Sequence, residues 1–175
     1  DAYGHGIHPT AARLMQSGVD LFAVANVREA TEIREMGSGW PILVLGPLLP
    51  EEDETLATHD LIATISSAEE LDRLTEVAES SGKTLPIHLK IDTGMGRLGA
   101  WWESAADLLR DARSRSKLDL QGALTHFADP ADPDFTQRQR EIFLGILREE
   151  NLLGQPDFLV HADNSSSLRA LSKSD

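Results

Sequence analysis

Residues 88–99 read His-Leu-Lys-Ile-Asp-Thr-Gly-Met-Gly-Arg-Leu-Gly, and this stretch carries the most information about the fold. Apolar residues alternate with His88, Lys90 and Asp92, which is the period of a β-strand. The strand then runs into a glycine-rich turn, where the backbone can bend sharply. An inward amine is costly to keep charged unless it is paired, modified or catalytic. The stretch therefore predicts either a functional strand end or an ordinary salt-bridged loop.

Length and composition narrow the class of protein. The 175 residues suit one domain with a sizeable core. A net charge of −13 argues against a nucleic-acid surface or an anionic membrane as partner. The absence of cysteine excludes disulfides and zinc–thiolate sites. Because no apolar run is long enough for a membrane span and no signal peptide is visible, we predict a cytoplasmic enzyme or binding domain.

Strand-like and helix-like segments alternate along the chain. Strands are predicted at 21–24, 42–45, 61–65, 87–91, 121–125 and 158–161. Helices are predicted at 10–17, 27–36, 51–57, 68–80, 104–115, 134–150 and 165–171. Such alternation implies parallel strands with right-handed crossovers, which fits a doubly wound sheet or a (β/α)8 barrel. No Gly-x-Gly-x-x-Gly follows the first strand, so a dinucleotide-binding fold is disfavoured.

The starts of several helices carry local signals. Asn26 with Glu29 and Ser67 with Glu70 have the spacing of capping boxes. Asp134 is the expected cap of the helix that follows the loop at 129–133. These signals fix where three of the helices should begin.

Residues that could carry chemistry collect where strands end, as they do in barrel enzymes. They fall into four segments: Tyr3 and His5 near the start, Lys90 to Arg97, His126, and the run from His161 through Asn164 and Ser165. Each segment has an ordinary structural alternative, such as a packed tyrosine, a salt-bridged loop, a hydrogen-bonded histidine or a helix cap. The last segment also has the hydroxyls and free N–H groups that bind a phosphate.

Together these motifs resemble the alanine racemase family, whose members are pyridoxal 5'-phosphate (PLP) enzymes with a barrel domain. Residues 1–6, Asp-Ala-Tyr-Gly-His-Gly, are similar to the end of the family's cofactor-lysine motif, Lys-Ala-(Asn/Asp)-Ala-Tyr-Gly-His-Gly. Residues 88–99 match the family's central signature almost letter for letter, and Thr-His-Phe-Ala and His-x-x-Asn-Ser follow in the expected order. The loop at 129–133 departs from the family pattern. The resemblance implies a TIM-type (β/α)8 barrel, incomplete, with about six of its eight strands present.

The resemblance also implies roles for individual residues. Tyr3 and Ser165 would hold the cofactor phosphate, with Asn164 nearby as a further cofactor-binding residue. Leu45 and His126 would lie against the cofactor ring, and Arg97 would donate to its phenolic oxygen. The remaining roles are supporting ones: Lys90, commonly carbamylated in this family, would position Arg97, and His161 would support an arginine farther along the parent protein.

The implied protein is a PLP-dependent racemase that interconverts L- and D-alanine and supplies D-alanine for peptidoglycan. It would be a cytoplasmic homodimer with shared active sites. Its two proton-transfer bases, a lysine and a partner-subunit tyrosine, would lie outside this chain. Residues 1–175 would then be a partial barrel domain without the C-terminal β domain, and inactive alone.

Three alternatives stay open from the sequence. The protein could be a racemase of serine or another amino acid, or a non-catalytic PLP-binding barrel. It could also be a metal-dependent hydrolase barrel, with ligands drawn from a carbamylated Lys90, His88, His126, His161 and Asp129.

Overall fold

Parallel strands joined by helices form the frame of the structure, a computed structural model that describes residues 1–162 and 164. The strands are β1 (Phe22–Val24), β2 (Ile42–Val44), β3 (Ile62–Ile65), β4 (Leu85–Asp92), β5 (Ala100–Trp101), β6 (Leu118–Leu124) and β7 (Leu159–His161). The helices are α1 (Ile7–Gln16), α2 (Val27–Met36), α3 (Asp53–Thr58), α4 (Ala68–Ser81), α5 (Trp102–Ser114) and α6 (Pro133–Glu149). Short 3-10 turns cover Ala2–Gly4 and Pro50–Glu52. The helix expected at 165–171 lies outside the described residues.

The strands follow one another across the sheet in the order β1-β2-β3-β4-β6-β7, and every pairing is parallel. The two-residue β5 lies off this path and pairs with the end of β4. A doubly wound sheet would reverse its strand order at a switch point, whereas a barrel adds strands in sequence. The architecture is therefore an incomplete TIM-type barrel, and the predicted fold class is confirmed.

The two faces of the sheet have different environments because successive side chains on a strand point to opposite sides. On β4, Ile87, Leu89 and Ile91 are fully buried in the core, together with Leu71 and Leu74 of α4. Burial of each such side chain contributes about 1.5–3 kcal/mol to folding. The opposite face of β4 carries the polar residues and forms the interior of the barrel.

Two of the predicted helix caps are confirmed. The Asn26 side chain accepts a hydrogen bond from the Glu29 N–H at 3.0 Å. The Ser67 hydroxyl accepts one from the Glu70 N–H at 3.2 Å, and the Glu70 carboxylate accepts in turn from the Ser66 N–H at 2.6 Å. Helices α2 and α4 begin where their sequence signals place them.

The predicted cap of α6 was wrong by two residues. The Asp132 carboxylate, not that of Asp134, accepts from the Phe135 N–H at 2.9 Å. Pro133 occupies the first helical position, where its missing N–H costs nothing and its fixed φ suits the helix.

None of the helices in residues 1–162 has the length and apolar composition needed to cross a bilayer.

Candidate active site

A cavity of about 870 Å³ lies at the carboxyl ends of the strands. Its lining includes residues that follow four of them: Ala25 after β1, Leu45 after β2, Arg97 in the turn after β4, and His126 after β6. Tyr3, near the start of the chain, also lines the cavity. Parallel barrels place their active sites at this edge, so the predicted location of the site agrees with the cavity.

The glycine-rich turn after β4 is held by Asp92. Its carboxylate accepts hydrogen bonds from the Gly94 N–H at 2.9 Å and from the Gly96 N–H at 2.9 and 3.1 Å. Gly99 has φ +123°, and a Cβ there would lie 2.8 Å from the Asp92 nitrogen. The turn therefore folds back tightly over β4, and this brings Arg97 to the cavity that Lys90 also lines.

Lys90 is buried, with 7% of its surface exposed. Burial lowers the pKa of its amine, the Arg97 guanidinium lowers it further, and Asp92 partly opposes both. Within the described part of the chain, neither Lys90 nor Arg97 forms a salt bridge. These effects shift Lys90 towards its neutral amine, and the Arg97 guanidinium has donors available for an anion.

His126 is half-buried at the same cavity. Burial lowers the pKa of its imidazole, and the positive charges of Arg97 and Lys90 lower it further. The neutral form of His126 is therefore favoured. A neutral, flat imidazole can lie against an aromatic ring without adding a charge to the site.

Gln139 of α6 holds the segment that carries His126. Its side-chain oxygen accepts from the Ala128 N–H at 3.0 Å, and its side-chain nitrogen donates to the His126 carbonyl at 3.3 Å. Sequence reasoning missed this residue. The available signal was a polar side chain four residues from both Phe135 and Phe143, on the apolar side of the helix.

His88 and His161 form a hydrogen-bonded pair inside the barrel, with 3.0 Å between Nδ1 of His88 and Nε2 of His161. Burial lowers the pKa of both rings, and for His88, where the charge of His161 adds to the effect, the pKa falls to about 4. A shared proton between two ring nitrogens requires that one ring accept, so this pair is held with at least one ring neutral. His161 does not line the cavity.

The other predicted site residues have mixed placements. Leu45 lines the cavity wall, and Tyr3 lies at the cavity, highly exposed, with φ +56°. The Asn164 amide donates to the Phe127 carbonyl at 3.4 Å and is not among the cavity-lining residues. Ser165 lies outside the described residues. The roles expected for these residues stay predictions.

The histidine and aspartate ligands of the metal-hydrolase alternative are not assembled in the described residues. His88 and His161 are adjacent, but residues 1–162 and 164 contain no group of three or more His, Asp or Glu side chains placed to share a metal ion.

Comparison with known proteins places these features in a family. The family profile described as "Alanine racemase, N-terminal domain" matches residues 1–175. An alanine racemase of Halothermothrix orenii is 36% identical over 170 residues, which is 96% of this chain and 45% of that protein. The chain thus spans about half the length of the curated relatives it matches.

Solved structures give the same result. Alanine racemase of Clostridium difficile in complex with cycloserine superposes with a TM-score of 0.89 at 31% identity, over 96% of this chain and 47% of that one. Histidine racemase of Leuconostoc mesenteroides superposes with a TM-score of 0.79 at 26% identity, over 94% and 44% of the two chains.

Proposed function

The chain belongs to the alanine racemase N-terminal domain family, and on that premise we propose that the whole protein is an amino-acid racemase that uses PLP and acts on alanine. The observation that carries the proposal is the common cavity of Tyr3, Leu45, Lys90, Arg97 and His126. Motifs far apart in the sequence singled out Tyr3, Lys90, Arg97 and His126, the family resemblance added Leu45, and all five line one cavity.

The residues around the cavity fit PLP by their chemistry. Arg97 is an exposed cation without a carboxylate partner among the described residues, so its N–H groups are free to donate to an anionic oxygen. His126 offers a flat ring whose neutral form is favoured, and Leu45 offers an apolar wall. The Tyr3 hydroxyl lies at the cavity and would donate to the phosphate, joined by Asn164 and Ser165.

PLP, when bound, supplies an electron sink that stabilises negative charge at the substrate Cα. The chain's own residues would hold it: Arg97 would donate to its phenolic oxygen and stabilise negative charge there, while His126 and Leu45 would lie against its ring. His161 would support an arginine that follows. The lysine and tyrosine that move the proton are proposed to lie in the rest of the protein, the tyrosine coming from a partner subunit of a homodimer.

Lys90 is proposed to carry a carbamate. Its neutral Nζ would attack CO₂, forming an N–C bond and releasing one proton, and the resulting anion would pair with Arg97. Whole protein prepared in ¹³C-bicarbonate should show a carbamate carbon resonance. Lys90→Met should lose this signal and Lys83→Met, at a half-exposed surface lysine, should keep it. A signal that survives Lys90→Met would exclude the modification at this residue.

Racemisation is tested on the whole purified protein. We expect a visible absorbance that disappears on borohydride reduction, and conversion of L-alanine to D-alanine. Serine and histidine are assayed in parallel, because a histidine racemase is among the similar structures. Absence of the absorbance together with stoichiometric zinc would overturn the proposal, and faster turnover of another amino acid would correct the substrate. The proposed role in the cell is D-alanine supply for peptidoglycan in the cytoplasm.

A further inference from the structure

Three buried polar side chains join β4, β6 and α6 behind the candidate site. We call Thr93, Thr125 and Gln139 the Gln139 cluster. The two hydroxyl oxygens lie 2.8 Å apart, and the Gln139 amide nitrogen donates to the Thr93 hydroxyl at 3.4 Å. The exposed fractions are 3% for each threonine and 0% for Gln139. A buried amide is costly unless it is hydrogen-bonded, and the partners of Gln139 satisfy both of its ends.

Within the cluster, Gln139 forms hydrogen bonds with the backbone on both sides of Phe127. Gln139 accepts from the Ala128 N–H and donates to the His126 carbonyl, at 3.0 and 3.3 Å. Phe127 itself is buried, with 1% exposed. Because one planar amide makes both bonds, the segment 126–128 cannot rotate without breaking at least one of them.

Helix α6, which carries Gln139, packs closely against the glycine-rich turn that carries Arg97. A Cβ at Gly94 would lie 2.9 Å from the Phe135 ring of α6 and 3.7 Å from Gln139 Cγ. The absence of a side chain at Gly94 therefore lets α6 approach the turn closely. Gln139 sits at the junction of the two segments that carry Arg97 and His126.

We propose that Gln139 is a positioning residue of the cofactor site, which holds the backbone of 126–128 so that the His126 ring stays in the cavity beside Lys90 and Arg97. The cofactor part of this proposal rests on the proposed function; the placement of His126 does not. An apolar side chain would continue the stripe of Phe135 and Phe143 equally well for packing, so the amide at this position is explained by the segment it holds.

The test measures the His126 imidazole pKa by NMR in the whole protein without cofactor, with His126→Asn used to assign the resonance. In Gln139→Met, which keeps the side-chain length, the ring should become more exposed and move away from Arg97 and Lys90, so its pKa should rise towards the ordinary value. Gln137→Met is the matched control, because Gln137 is exposed on the same helix and its side chain donates to the surface residue Glu141. It should leave the His126 pKa unchanged.

Two further measurements keep the proposal falsifiable. Thr93→Val is a smaller change to the same cluster and should shift the His126 pKa in the same direction. If Gln139→Met does not fold, the His126 pKa in Thr93→Val tests the positioning role instead. The PLP dissociation constant should rise about tenfold in Gln139→Met, as expected when buried partners are left unpaired. An unchanged His126 pKa in the folded variants would overturn the positioning role. Failure of the unsubstituted protein to bind PLP would overturn the proposed function alone, since the titration is read without cofactor.

Discussion

Gly122 leaves the space that the His88 ring occupies inside the barrel. A Cβ at this position would lie 2.5 Å from the Leu159 carbonyl oxygen and 2.8 Å from Cε1 of His88. An irregularity in the β4–β6 pairing makes Gln121 the extra residue and sets Gly122 opposite His88. The buried His88–His161 pair therefore depends on a position without a side chain.

Gly122→Ala should destabilise the whole protein by about 2–3 kcal/mol, because the added Cβ would displace both the β7 backbone at Leu159 and the His88 ring. Gly145→Ala is the control. Gly145 lies inside α6 with no atom within 4 Å of a Cβ, so alanine should stabilise the helix by about 0.5–1 kcal/mol. Urea unfolding measures both changes, and equal effects at the two positions would contradict the steric account.

His88 should make stability depend on pH. Its pKa is about 4 in the folded chain, against 6.5 without the fold, so between these values the unfolded chain binds more protons. The stabilisation is fully present above the unfolded pKa and is lost as the pH falls through this window. We expect urea midpoints to drop from pH 7 to pH 5 (about the middle of the window) and to drop less in His88→Gln. His8→Gln, at an exposed histidine of α1, should keep the original slope; a full slope in His88→Gln would assign the effect elsewhere.

Among the secondary-structure elements, α6 offers a direct test of its capping residue. Asp132→Ala should cost about 1 kcal/mol, because the Phe135 N–H loses its acceptor. Asp134→Ala should cost only a few tenths, through the helix dipole. Thermal unfolding compares the stability of the two variants directly. A larger loss in Asp134→Ala than in Asp132→Ala would support Asp134, the cap expected from the sequence.

Local signals predicted some element boundaries well, and prolines account for two of the differences. Helix α2 was predicted with its observed bounds because Asn26 and Gly37 mark its ends. Helix α1 begins at Ile7 rather than at residue 10, because Pro9 falls in the first turn, where no N–H is needed. Strand β4 extends back through Pro86: the Leu85 N–H bonds towards β6, so the nitrogen of Pro86 faces β3, whose pairing begins only at Ile87.

The candidate site was predictable where a motif carried its residues, and not where only the fold brings partners together. Arg97 and His126 were indicated by their motifs and line the same cavity. Gln139 has no motif, and it reaches Thr93 across 46 positions of the chain. A polar residue in an apolar stripe signals a buried hydrogen bond, but its partners are visible only in three dimensions.

At the scale of the whole molecule, two strands have an open side. Among the described residues, β1 pairs only with β2 and β7 only with β6. Unpaired edges of this kind promote association with other chains. The two proton-transfer bases are proposed to lie in the rest of the protein.

The isolated 175-residue chain should therefore aggregate through its open strand edges and show no alanine racemisation, whereas the whole protein should form a defined homodimer and racemise alanine. Light scattering and the racemisation assay measure the two properties. Leu159→Lys, which places a charge on exposed β7, should reduce the association of the isolated chain. A monodisperse, active 175-residue chain would contradict the expectation.

The order of the strands has a consequence for biosynthesis. Apart from the short β5, each strand of the sheet lies beside the one made just before it. A nascent chain can therefore extend the sheet as it leaves the ribosome, since every new strand finds its neighbour already present. Lys90 and Arg97 are synthesised before His126 and Gln139. The cationic side of the cavity can therefore form first, and the segment that carries His126 packs against it afterwards.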